Sequence, residues 1–133
     1  MKLNRLSTIQ NIFDQFNDQF EFLRLEFYKN IHGASEGSPM AEQISHSTLL
    51  IDINPDLKET EFIIDGDKTV ADFEKMMKDK FKLNVQVFRK SSEIWLQTTA
   101  TDHWSLNKQN GKGQRSLIDY EIEPVDITDF DVD

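Results

Sequence analysis

A chain of 133 residues accommodates one domain with a real core and is too short for two comfortable ones. It contains no cysteine, which excludes disulfides, thiolate catalysis and cysteine-ligated zinc, so any chemistry must run on carboxylates, three histidines, hydroxyls or lysines. The formal charge of −9 is localised: seven acids and no base lie between Ser116 and Asp133, and the remaining 17 of the 24 acids face 15 bases in the body, a balance that argues against a duplex-binding protein.

Met1 to Gln10 holds no apolar run of the kind found in a signal peptide, and no segment approaches the roughly 18 consecutive apolar residues of a spanning helix. The expectation is a cytoplasmic protein with no membrane association and no cofactor. Ser7 and Gln10 have capping-box spacing, and Ile9, Ile12, Phe13, Phe16 and Phe20 recur at three and four residues, which predicts a helix over 8–19. "FEFLRLEFYK" then changes to the aromatic and branched pattern of a strand, over 21–28, with an irregularity near Phe22-Leu23 where the alternation slips. Residues 31–47, with Gly33, Gly37 and Pro39, read as a long loop. "TLLIDI" alternates Leu49, Ile51 and Ile53 as a strand would; Asn54-Pro55-Asp56 is a turn, and 61–65 is a short strand.

Thr69 is placed to cap a helix whose apolar stripe is Val70, Phe73, Met76, Met77 and Phe81, with Asp72 near its positive end. Two strands, 83–90 and 93–100, are joined across Ser91-Ser92 as a hairpin. A short helix over 103–110 follows, with Asp102 or Thr101 as its cap and Gly111 as the left-handed residue closing it. "NGKGQR" (110–115) is expected to be a flexible link to the acidic tail, 116–133. The predicted architecture is α+β: one domain over 1–115 with an N-terminal helix, a mixed sheet of four to five strands containing a strand-helix-strand-hairpin unit, and a short helix after the hairpin.

Three strings carry a resemblance: Thr69-Val70-Ala71 opening the helix, "LNVQVFRKS" (83–91), and "WLQTTATDHWSLNKQNG" (95–111). Together they resemble an uncharacterised family of small bacterial proteins, with a vaguer echo in "EGSP" (36–39). The resemblance implies a shared fold and carries no activity or catalytic residues. Ser92 stands where the pattern would place a glycine in the hairpin turn. A second likeness, to the ubiquitin-like β-grasp fold, rests only on element order and is the less favoured variant.

The candidate chemistry centres on Asp102 and His103, with Thr98, Thr99, Thr101 or Ser105 as a nucleophile. Neighbouring residues point in different directions on a strand or a helix, so capping and packing by Asp102 and Trp104 is the simpler expectation, and no catalytic residue is assigned. His32, His46 and His103 lack the local spacing of metal ligands, so no metal site is assigned to them with Asp102 or Glu36. Lys108, Lys112 and Arg115 lie around glycines that could cradle a phosphate, but without P-loop spacing. The tail alternates acids with Ile118, Tyr120 and Ile122, a pattern suited to adding a strand to a sheet edge. The reading is a noncatalytic protein-interaction or regulatory module, with Trp104, Lys108, Lys112, Arg115 and Tyr120 as binding residues. A small metal-dependent or hydrolytic enzyme using Asp102 and His103 is the first alternative, and a phosphate or nucleic-acid binder the second.

Overall fold

The computed structural model describes residues 1–29 and 43–118. The long-loop prediction therefore falls mostly outside the described residues, as do His32, Glu36, Tyr120 and nearly all of the acidic tail.

The first helix, α1 (Ile9–Gln19), buries Ile9, Ile12 and Phe16. Its capping box sits one residue later than the spacing suggests: Thr8 Oγ1 accepts from the Asn11 amide (3.2 Å), and Asn11 Oδ1 accepts from the Thr8 amide (2.9 Å). Ser7 is unavailable for capping because it is buried and its hydroxyl accepts from the Asn4 amide, closing the preceding turn. Before α1 lies an unpredicted strand, β1 (Lys2–Leu3). After it comes β2 (Leu23–Tyr28), which begins two residues late because the Phe22 amide donates to Asn110 Oδ1 instead of joining the ladder.

"TLLIDI" is not a strand. It forms a bridge residue, Leu49, and one turn of helix, α2 (Leu50–Ile53), in which Leu50 is the fully buried side chain. Six residues of alternation were too few to resolve the period, and the core contact of Leu50 decides it. Of the strand expected over 61–65, β3 (Thr60–Glu61) pairs with β1, and the Phe62 amide continues the pairing to Met1 O. Helix α3 (Val70–Phe81) forms as expected, with Thr69 Oγ1 accepting from the Asp72 amide at 3.0 Å and Lys82 closing it in the left-handed region (φ 56°).

Strands β4 (Asn84–Ser91) and β5 (Ile94–Gln97) form the hairpin. Ser92 has φ 54°, which accounts for the glycine expected at that position. β5 ends at Gln97, short of the predicted 100: the Thr98 amide still bonds Val87 O, but the Val87 amide donates to Glu74 Oε2 and a 3₁₀ turn follows over Thr99–Thr101.

The last helix is α4 (Leu106–Arg115), capped by Ser105, whose hydroxyl accepts from the Lys108 amide, and not by Asp102 or Thr101. "NGKGQR" is consequently helical, not a flexible link, and Gly111 is interior to the helix with no positive φ. Gly113 explains why glycine is tolerated there: a Cβ would stand 2.9 Å from Phe22 Cβ and 3.0 Å from Phe22 O, so glycine lets α4 lie directly on the start of β2.

The architecture is α+β, with four helices and two antiparallel sheets, β1–β3 and β2–β4–β5, among the described residues. The expected strand-helix-strand-hairpin run is β3, α3, β4 and β5; because α3 carries the chain from the small sheet to the large one, it generates no parallel pair and no β-grasp sheet. One core joins these elements, from Leu3 through Phe16, Leu25, Phe27, Val85 and Val87 to Leu106.

The helix starts are joined in pairs. The first amide of α1 bonds Thr48 O while the first amide of α2 bonds Ser7 O; likewise Val70 N–H bonds Trp104 O while Leu106 N–H bonds Lys68 O. Each pair crosses at one antiparallel bridge, Thr8 with Leu49 and Thr69 with Ser105. Amides that a helix cannot satisfy internally are thereby satisfied by the partner helix's entry turn.

Candidate functional site

Asp102 and His103 differ in their surroundings. Asp102 is buried and its carbonyl accepts from the Ala71 amide (2.8 Å), whereas His103 is exposed and meets Trp104 edge-on at 6.5 Å. The hydroxyls of Thr98 and Ser105 are engaged with backbone groups. Trp104 packs between cations instead, with Lys108 Nζ 4.4 Å and the Arg89 guanidinium 5.9 Å from its ring. Arg89 also bonds Gln109 Oε1, and burial pushes its pKa down. Lys112 and Arg115 occupy the last turns of α4, where positive charge meets the negative end of the helix dipole. No group of three or more metal-binding side chains occurs among the described residues.

The face of the large sheet away from the core carries a network that the sequence did not disclose. Strand alternation puts Arg24, Glu26 and Tyr28 of β2 on this face, with Gln86 directly opposite Glu26 and Trp95 of β5 beyond. Glu26 is only 1% exposed. Its two oxygens are held by Arg24 at 2.5 Å and His46 Nε2 at 2.6 Å. Gln10 donates its amide to Asp14 and so turns Oε1 to His46 Nδ1 (3.1 Å), which leaves both ring nitrogens facing oxygens. Burial alone would raise the Glu26 pKa, but the hydrogen bonds from His46, Arg24 and Gln43 outweigh it and hold the carboxyl below its usual value. Tyr28 is pushed up to about 12, first by burial and then by the Glu26 charge. Both His46 nitrogens are committed to this scaffold, which ties α1 to β2 and leaves no ring nitrogen to act as a base.

A groove of about 530 Å³ lies between segment 60–65 and α3. Its floor is Phe62, Phe73, Met76 and Phe81, the rings of Phe62 and Phe81 stacking at 5.5 Å, and Lys68, Lys80, Asp65 and Asp72 stand around it. Ile63 is 93% exposed beside this floor. Phe62 turns both backbone groups to Met1, so strand alternation directs those of Glu61 and Ile63 to the edge away from β1, with which no strand pairs among the described residues. "EFIID" carried the signal for this site, an apolar run broader than one buried face requires, but the helix that completes the groove is supplied by the fold.

No helix among the described residues is long and apolar enough to cross a membrane. Set against protein-family models, curated proteins and solved structures, the chain finds no match.

Proposed function

We propose that the chain is a noncatalytic protein-interaction module, working in the cytoplasm, which holds an extended segment of a protein partner in the groove between segment 60–65 and α3. The observation that carries this reading is the groove itself: an apolar floor, lysines at its margin and an isoleucine left 93% exposed. An extended peptide laid along an open backbone edge beside a helix gains main-chain hydrogen bonds, while alternate side chains enter the floor. Covering Ile63 alone is worth about 1.5–3 kcal/mol. The enzymatic alternative has no comparable support, since Asp102 is buried while His103 is exposed, and the packing of Lys108 on Trp104 gives that lysine a structural role.

The test is affinity capture with the whole chain, comparing wild type with Ile63→Asp and Met76→Glu. Both variants should lose the same bound proteins while keeping the native circular dichroism spectrum. An unchanged set of partners would rule the groove out as the interaction site.

A further inference from the structure

We infer that the partner at the groove is a second copy of this chain, related to the first by a two-fold axis that joins the open β3 edges and faces the two α3 helices to each other. The inference rests on the groove being the interaction site and names what covers it.

Charge complementarity on α3 selects that partner. Asp72, Met76 and Lys80 recur at every fourth position, so they form one stripe of the helix, and all three line the groove. Asp72 and Lys80 are exposed, and among the described residues neither belongs to an ion pair. Two helical turns and more separate them, about 12 Å along the axis, so they cannot pair with each other. Lys75 and Asp79, on the adjacent face, do pair, at 2.6 Å. An acid, a thioether and a base in line complement the same stripe read backwards. A two-fold axis at Met76 sets each Asp72 against the other copy's Lys80 and the two Met76 side chains against each other, an isologous contact. A parallel arrangement would oppose like charges instead.

The same axis serves the strand. Segment 60–65 runs antiparallel to α3, from Phe62, stacked on Phe81, to the turn that opens the helix, where Lys68 N–H bonds Asp65 O. Its outer edge has neither lysine nor proline between 60 and 65 and carries an exposed isoleucine, the kind of edge that serves as a template for another chain. Opposing the two α3 stripes lays the two edges antiparallel, so that the outward backbone groups of Glu61 and Ile63 exchange hydrogen bonds across the axis. Phe62 is on the α3 side of the sheet, and alternation therefore puts Ile63 on the other side, where the axis brings it to its counterpart. One operation thus covers both the apolar floor and Ile63. A short strand and one helix stripe belong at the low end of specific interfaces, below about 1,200 Å². Assembly is accordingly dependent on concentration, and its charge pairs make it weaken with salt.

Sedimentation velocity on the full chain, over a concentration series, provides the test. Wild type should pass from one chain mass, 15.6 kDa, towards twice that mass, and return as salt is raised. Ile63→Asp, Lys80→Glu and Asp72→Lys should each weaken association at least about tenfold while keeping the native circular dichroism spectrum. Mixing Lys80→Glu with Asp72→Lys should restore it, because every contact of position 72 with position 80 across the axis is then again between opposite charges. Three results would overturn the inference: a chain that stays monomeric at every concentration, a dimer indifferent to these substitutions, or charge reversals that do not rescue each other. Capture of other proteins that still depends on Ile63 while the chain stays monomeric would remove the second copy and leave the groove as an interaction site. A dimer and a set of captured proteins both unaffected by Ile63→Asp would remove the two ideas together.

Discussion

Glu26 shows how far a single residue's role can depart from its sequence signal. A carboxylate alternating with Leu25 and Phe27 should face water, yet it is buried and held between Arg24 and His46. Its folded pKa lies below the usual 4.5, so its stabilising contribution is complete above that value and is lost as pH falls through the depressed one. Glu26→Gln should therefore cost about 1–3 kcal/mol at neutral pH, the lower part of the range for buried charges because Arg24 and His46 keep some access to water. In urea unfolding followed from pH 7 to pH 3, wild type should lose stability more steeply than Glu26→Gln below pH 4.5, and the two curves should converge.

At the scale of elements, two close approaches set the fold. Gly113 brings α4 onto Phe22, where a Cβ would meet a backbone oxygen at 3.0 Å. Gly113→Ala raises helix propensity, but it should still lower stability by about 1–2 kcal/mol, since the overlap displaces either α4 or β2. Thermal unfolding measures the sign; a stabilised variant would show that α4 shifts at little cost. The paired helix starts make a different prediction. Thr69→Ala removes the cap on the Asp72 amide and should cost about 1 kcal/mol. Because Val70 and Leu106 exchange bonds with each other's entry turns, hydrogen exchange should quicken at Leu106 and Asn107 in α4 as well as at Val70 and Ala71 in α3. Faster exchange confined to α3 would show that the two helices open independently.

At the scale of the molecule, the decisive feature is that, among the described residues, both sheets and all four helices contribute to one apolar cluster. Phe16 lies within it, fully buried, its ring 5.1 Å from Phe20 and 5.3 Å from Phe73. Phe16→Ala should cost about 3–5 kcal/mol and move the entire transition, with calorimetric and van't Hoff enthalpies still equal, because no element has a core of its own. Separate transitions would divide the molecule at α3, the link between the two sheets.

The elements legible in the sequence were those specified by local pattern: α1 from its apolar stripe, α3 from its stripe and its Thr69 cap, and the β4–β5 hairpin from its strands and its turn at Ser92. These depend on spacing along the chain, and spacing is what a sequence displays. The misread parts were settled by distant partners. "TLLIDI" coils because Leu50 meets the core and bonds Ser7; "NGKGQR" is helical because Gly113 fits against Phe22. The Glu26 network and the groove joining segment 60–65 to α3 consist wholly of such contacts, between residues far apart in the chain. The sequence by itself determined which segments could hide apolar faces and where the acidic charge is concentrated. Tertiary structure alone decided which polar groups are buried and which apolar ones stay open, because burial is set by what packs on top.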